Sequence, residues 1–191
     1  MTERHFEAIV IGASAGAFDA LSTLLPALPQ DYPLPIMVVV HLPSDKESVI
    51  ADLFQTKCQL RVKESEDKES IQPGTVYFAP PNYHLLIEKD KRLSLSSEEE
   101  VIYSRPSIDV LFETAADAYG TGLIGVILTG ANNDGANGLK AVTNAGGIAL
   151  VQQPGLAYAS AMPQAAMKAC PSAQALSLEQ IAVYLKKATA S

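Results

Sequence analysis

The chain has 191 residues, of which 48% are hydrophobic and 18% charged, with a formal net charge of -7. This composition is typical of a globular protein, and the length suffices for a sizeable core. The negative charge, without a clustered Lys/Arg face in the sequence, argues against nucleic-acid binding. We therefore expect one domain spanning residues 1–191, whose partner is a protein or a small molecule.

The N-terminus and the cysteines indicate neither export nor a zinc site. The first apolar run is too early and too short for a signal peptide, and no segment approaches the length of a membrane span. Cys58 and Cys170 lie far apart without metal-binding spacing, so we expect two free thiols. These features predict a cytoplasmic protein without membrane insertion.

The first motif combines a buried strand, a small-residue turn and a helix. Residues 8–11 are apolar throughout, as in a parallel strand covered on both faces. Residues 12–16 fit G-x-S-x-G, which makes Ser14 a candidate nucleophile at the start of a helix. Two alternatives remain at this point: a tight βα turn with no catalytic role, or a phosphate-binding turn of the short-chain dehydrogenase type.

A second apolar strand, residues 36–40, ends at His41. Because parallel strands bring their carboxyl ends to one sheet edge, His41 is expected on the same side as Ser14. A dinucleotide-binding fold usually has an acidic residue at this place, whereas this strand ends at a histidine. A short-chain dehydrogenase also needs a Tyr-x-x-x-Lys pair, and none of the seven tyrosines has lysine at the fourth position after it. The dehydrogenase alternative is therefore disfavoured.

The next segment predicts scaffold elements. Residues 44–56 have the spacing of a helix, with Ser44 as its N-cap, and residues 63–69 are most simply a solvated loop. Residues 74–79 alternate as a strand does. Residues 84–88 and 92–96 then predict an antiparallel hairpin at an edge or flap. His84, at its start, is more readily a surface or capping histidine than a substrate contact.

The second half continues the alternation of strands and helices. A helix opens at Ser104-Arg105-Pro106-Ser107, with the proline in its first turn, and ends at Gly120. Further elements are strands at 123–128 and 148–151 and helices at 136–145, 163–169 and 177–188, the last opened by a Ser177–Gln180 capping box. The pattern predicts an α/β fold: a doubly wound, mostly parallel sheet flanked by helices, with an inserted antiparallel hairpin.

The loop after strand 123–128 supplies Asp134 at the same sheet edge as Ser14 and His41. A serine, an imidazole to take its proton and a carboxylate to orient the imidazole are the components of nucleophilic acyl transfer. Taken singly, Asp134 could be a helix cap and His41 a structural histidine. The chain order Ser, His, Asp differs from that of α/β-hydrolases, so another scaffold is needed.

These residues resemble the catalytic domain of the CheB family, the chemotaxis-receptor protein-glutamate methylesterases. The resemblance runs from residue 9 to about 169 through IVIGASAGA, VVVHLP, PGTVYFAPPNYHL, RPSIDVLF, GVILTGANNDGANGL and AMPQAA. It implies a triad of Ser14, His41 and Asp134 that hydrolyses glutamate γ-methyl esters on cytoplasmic receptor helices and releases methanol. Many family members also deamidate receptor glutamines, and no cofactor or metal is implied.

The chain departs from the family at several positions. Family members often have threonine after the nucleophile and methionine-glycine in the aspartate loop, where this chain has Ala15 and Ala131-Asn132. Gln152-Gln153 precedes Pro154 where an acidic residue is common. Since an oxyanion hole would use main-chain donors, we expect Ala15 and Ala131 to supply them. We also expect Arg105 to contribute to the substrate rim or to support the aspartate loop, the alternative being a surface arginine.

The chain begins at the first strand of the resemblance, which leads us to expect a stand-alone form without the usual receiver domain. Regulation would then depend on a separate protein rather than on phosphorylation in cis. Two other functions stay open: a noncatalytic module that binds receptor helices or a scaffold, and a hydrolase of another small ester or amide.

Overall fold

A computed structural model describes residues 4–42 and 49–189. Its strands are β1 (Ala8–Ala13), β2 (Ile36–Val40), β3 (Arg61–Glu64), β4 (Thr75–Phe78), β5 (His84–Ile87), β6 (Leu93–Ser96), β7 (Leu123–Ile127), β8 (Ile148–Gln152) and β9 (Gln174–Leu176). Its helices are α1 (Ala17–Leu24), α2 (Ile50–Lys57), α3 (Ile108–Tyr119), α4 (Ala136–Asn144), α5 (Ala161–Ala169) and α6 (Leu178–Lys187). None of the helices described is both long and apolar enough to cross a membrane.

Seven strands form one parallel sheet in the order β3-β4-β2-β1-β7-β8-β9. All six residues of β1 are buried, since the strand is central and is covered on both faces. The chain runs from β1 outward to β2 on one side and later returns to β7 on the other. Adjacent loops therefore diverge at the carboxyl end of β1, the place where α/β sheets form a crevice.

Two apolar clusters cover the two faces of the sheet. Ile9 and Ile11 of β1 belong to the cluster packed by α1, α2 and α6, whereas Val10 belongs to the cluster packed by α3, α4 and α5. This division follows from the alternation of side chains along a strand. The doubly wound architecture predicted from the sequence is confirmed.

The hairpin of β5 and β6 is antiparallel, as predicted, but it forms a separate two-stranded sheet instead of an edge of the main one. Leu85, Ile87 and Leu93 are buried with residues of α3 in the second cluster. The Ile87 N–H also donates to Thr114 Oγ1 at 3.1 Å. The hairpin thus supports the helix whose N-terminus reaches the candidate site.

Several boundaries differ from the sequence predictions. Lys63 and Glu64, expected in a solvated loop, end edge strand β3, because Val62 enters the core and pairs with β4. Pro106, expected in the first turn of a helix, precedes α3 and its N-cap residue Ser107. Strand β9 was not predicted. The capping box of α6 is confirmed, whereas the expected N-cap Ser44 lies outside the described residues.

Candidate active site

Ser14 lies between the end of β1 and the start of α1. Its N–H donates to the Thr129 carbonyl at 2.9 Å, which joins the loop after β1 to the loop after β7. Gly16 has φ +83°, and an added Cβ would lie 2.7 Å from the Tyr158 Cβ. Glycine at position 16 therefore permits both the left-handed turn and the close approach of the Tyr158 loop.

His41 directly follows β2, and its N–H donates to the Ala13 carbonyl at 3.1 Å. This bond continues the parallel ladder and places His41 beside the turn that carries Ser14. His41 Nε2 lies 2.8 Å from Asp134 Oδ2. The structure thus brings the imidazole and the carboxylate into direct contact, while no hydrogen bond joins the Ser14 and His41 side chains, both of which are described.

Asp134 is completely buried, and its carboxylate caps the N-terminus of α3. Oδ2 accepts from the Ile108 N–H at 2.7 Å, and Oδ1 accepts from the Asp109 N–H and from Ser107 Oγ, each at 3.0 Å. Burial by itself would raise the pKa of Asp134, but hydrogen bonds from His41 and from these backbone groups lower the pKa below its ordinary value. The carboxylate is therefore ionised at neutral pH.

Asp109 makes the reciprocal contact with α4. Its Oδ1 accepts from the Gly135 N–H at 3.0 Å and from the Gly138 N–H at 2.7 Å, at the start of that helix. Burial raises the pKa of Asp109 to about 6, with a further contribution from the neighbouring Asp134 charge. Asp134, just before α4, therefore caps α3, and Asp109, in the first turn of α3, caps α4. The two caps together hold the aspartate loop in one position.

Asn132 completes the hydrogen bonding around the imidazole. Its Oδ1 accepts from the Asp134 N–H at 3.0 Å, and its Nδ2 lies 3.2 Å from His41 Nδ1. With Nε2 directed at the carboxylate, Nδ1 is the ring nitrogen left to face the rest of the site.

The loops after β1, β7 and β8 are joined through Thr129. Its Oγ1 donates to the Ala15 carbonyl at 2.8 Å and accepts from the Ala159 N–H at 2.8 Å, while its N–H donates to Gln152 Oε1 at 2.9 Å. In the described part of the chain, the N–H groups of Ala15 and Ala131 donate to no protein acceptor. Neither N–H is therefore committed to a protein partner, and their role as oxyanion donors stays a prediction.

Arg105 and His84 act on the segment that precedes α3. Arg105 Nη1 donates to the carbonyls of Ser97 and Glu98, each at 3.0 Å, so its guanidinium does not contact Asp134 directly. Its place on a substrate rim stays a prediction. His84 is buried, contrary to a surface position, and its Nδ1 accepts from the Ser107 N–H at 3.1 Å. It therefore positions the residue that donates to Asp134.

The sequence did not lead us to expect the contacts of Ser107, Asp109 and Asn132 in the site. Ser107 precedes the periodic run of α3, and Asp109 lies in its first turn, so the ordinary preferences for helix N-termini could have indicated both. No comparable local signal indicates Asn132, because its contact with His41 depends on how two separate loops meet.

Comparisons with known proteins find one family and several relatives for this chain. The family model described as CheB methylesterase matches residues 9–185. A "putative protein-glutamate methylesterase/protein-glutamine glutaminase" of Leptospira interrogans is 52% identical over 178 residues, which cover 93% of this chain and 92% of that protein. A protein-glutamate methylesterase/protein-glutamine glutaminase of Archaeoglobus fulgidus is 34% identical, and the match covers 84% of this chain and 47% of that protein.

A solved structure shares the whole fold. The CheB methylesterase catalytic domain of Thermotoga maritima superposes with a TM-score of 0.91 at 31% identity, covering 95% of this chain and 98% of that one.

Proposed function

Because this chain belongs to the CheB methylesterase family, we propose that it is a serine esterase that hydrolyses glutamate γ-methyl esters on chemotaxis receptors. Ser14 is the nucleophile, His41 the base and Asp134 the residue that orients the imidazole. The observation that carries this proposal is the 2.8 Å contact between His41 Nε2 and the buried, ionised Asp134, next to the turn of Ser14.

In the acylation step, Ser14 Oγ attacks the ester carbonyl and its proton passes to His41 Nδ1. The imidazolium that forms is stabilised by Asp134 through Nε2–H. The N–H groups of Ala15 and Ala131 stabilise the negative charge on the carbonyl oxygen. His41 then protonates the departing methoxide, so that methanol leaves and a glutamyl ester of Ser14 remains.

In the deacylation step, His41 removes a proton from water, which attacks the glutamyl ester. Collapse of the second tetrahedral intermediate returns the proton to Ser14 and releases the receptor glutamate. The same steps act on a receptor glutamine, except that the leaving group is ammonia. Deamidation is therefore a proposed second reaction of the same site, and neither reaction requires a metal.

Receptor helices are the partner that we propose, and we place the enzyme in the cytoplasm where those helices lie. Tyr158 packs against Gly16 beside the nucleophile turn and is 84% exposed. A large exposed aromatic side chain next to a site is suited to contact a partner surface. We propose that Tyr158 contacts the receptor helix on which the ester is presented.

The test is release of methanol and ammonia from membranes that carry methylated or glutamine-containing receptor, with wild-type protein and Ser14→Ala. We expect methanol from the wild type and a loss on the order of 10⁴-fold in the variant. Retained binding to the receptor with no hydrolysis by the wild type would favour a noncatalytic module. Hydrolysis of simple esters without any action on receptors would favour a hydrolase of another substrate.

A further inference from the structure

The side chain of Asn132 links the backbone of the aspartate loop to the base of the proposed triad. Asp134 N–H meets Asn132 Oδ1, Asn132 Nδ2 meets His41 Nδ1, and His41 Nε2 meets Asp134 Oδ2. The three contacts, of 3.0, 3.2 and 2.8 Å, form a closed ring that begins and ends at Asp134. Its closure fixes the direction of every hydrogen bond in it.

The backbone N–H of Asp134 can only donate, so the atom of Asn132 that faces it is the carbonyl oxygen. The amide nitrogen of Asn132 is then directed at His41 Nδ1, and since an amide nitrogen also only donates, Nδ1 accepts through its lone pair. The ring proton of neutral His41 therefore lies on Nε2, which donates to the Asp134 carboxylate. If the His41 imidazole were flipped, carbon atoms would take the places of both nitrogen atoms, and both hydrogen bonds would be lost.

The Nδ1 lone pair is the one that the proposed mechanism requires for the Ser14 proton. In the structure this lone pair accepts from Asn132, and Ser14 Oγ does not hydrogen-bond to His41. We propose that Asn132 is a positioning residue that competes with Ser14 for the base nitrogen of His41. The serine gains its base only when the amide moves off Nδ1. This inference rests on the proposed role of Ser14 as nucleophile.

If Asn132 only stabilised the turn, Asn132→Asp would react like the wild type. An asparagine whose Oδ1 accepts the N–H two residues later forms an Asx turn, and aspartate forms the same turn equally well. Asn132→Asp therefore keeps the turn but replaces the donor facing Nδ1 with an anionic acceptor, which favours a proton on Nδ1. Asn132→Ala removes both the turn contact and the competing donor.

An alkyl fluorophosphonate measures the nucleophile without a receptor. Ser14 Oγ forms a bond to phosphorus, its proton passes to His41 Nδ1, and the phosphorus–fluorine bond breaks to release fluoride. We expect Asn132→Ala to react about two- to tenfold faster than the wild type, the factor corresponding to one neutral hydrogen bond. We expect Asn132→Asp to react at least about tenfold more slowly. Asn133→Ala, in the same loop, serves as a matched control with an unchanged rate, and Ser14→Ala shows the background.

The ¹⁵N resonances of the imidazole give a second readout that a change in the turn alone would not produce. In Asn132→Ala the Nδ1 signal of His41 should move toward that of a free, unprotonated nitrogen, and in Asn132→Asp toward that of a protonated one. A His41→Gln spectrum assigns the signals.

Two outcomes would overturn the inference: wild-type reactivity in Asn132→Asp together with slower reaction of Asn132→Ala, or an Nδ1 resonance that does not respond to either change. A wild-type protein that reacts no faster than Ser14→Ala would instead refute the serine esterase function itself. The two failures are therefore distinguishable.

Discussion

Replacing Asp134 by asparagine should damage both stability and activity, because the carboxylate uses both of its oxygens. Oδ2 accepts from His41 Nε2 and the Ile108 N–H, and Oδ1 accepts from Ser107 Oγ and the Asp109 N–H. In either orientation of the amide, its NH₂ group faces one of the two backbone N–H groups. One buried donor at the start of α3 is thus left without an acceptor.

An unpaired buried donor costs about 1–3 kcal/mol. For a chain of this length, that corresponds to a fall in Tm of about 2 to 12 °C. The rate of ester hydrolysis should fall by roughly 10²- to 10⁴-fold, since the amide no longer stabilises the imidazolium and can hold the imidazole in the wrong tautomer. Urea unfolding and methanol release measure the two effects separately.

Asp109→Asn is the matched control, because Asp109 accepts both of its backbone hydrogen bonds on a single oxygen, Oδ1. The asparagine carbonyl can keep both hydrogen bonds. The substitution also removes a buried carboxyl group whose pKa is raised from 3.8 to about 6. We expect the variant to be at least as stable as the wild type at pH 7.5. The gap between the two pKa values sets an upper limit of about 3 kcal/mol on the gain.

The pH dependence of that gain has a definite sign. Because the folded-state pKa of Asp109 is raised, its contribution to stability is fully present below about pH 4 and is lost as pH rises through about 6. The advantage of Asp109→Asn should therefore shrink between pH 7.5 and pH 4.5. If Asp134→Asn proved as stable and active as the wild type, or if Asp109→Asn lost as much stability as Asp134→Asn, the reciprocal capping described here would be wrong.

Four further substitutions test the site. Ser14→Ala and His41→Ala should each reduce methanol release on the order of 10⁴-fold, and their combination should be little worse, because the residues act as one unit; losses that multiply in the double variant would contradict a shared mechanism. Ser107→Ala removes a buried hydrogen bond to a carboxylate and should cost about 1.5–3 kcal/mol in urea unfolding, with a smaller loss of rate than Asp134→Asn. Arg105→Ala, compared with wild type for Tm and esterase rate, should lower at least one of them; no change in either would remove Arg105 from the site.

The sequence was sufficient to predict the central strands and the helices that cover them, because these signals are local and repeated. The apolar runs of β1, β2 and β7 are long enough to be recognised as buried parallel strands, and each is followed by a helix-forming segment. Strands β3 and β9 escaped prediction since they are short edge strands with few buried residues, so neither has a long apolar run in the sequence.

The sequence also predicted that His41 and Asp134 lie at the same carboxyl edge of the sheet, since β2 and β7 run in the same direction. It could not predict what holds them. The contacts of Asp134 with the start of α3, of His84 with Ser107 and of Asn132 with His41 join residues that are 23 to 91 positions apart in the chain. Such contacts depend on the path of each loop in the folded chain, which no local pattern of residue types specifies.

The central claim, covalent catalysis by Ser14, is tested most directly by acid quenching during turnover of methylated receptor, followed by mass spectrometry of the enzyme. We expect methanol to appear together with an ester-linked receptor fragment on the peptide that contains Ser14. Methanol release by Ser14→Ala at the wild-type rate, with no adduct on the wild-type peptide, would contradict it.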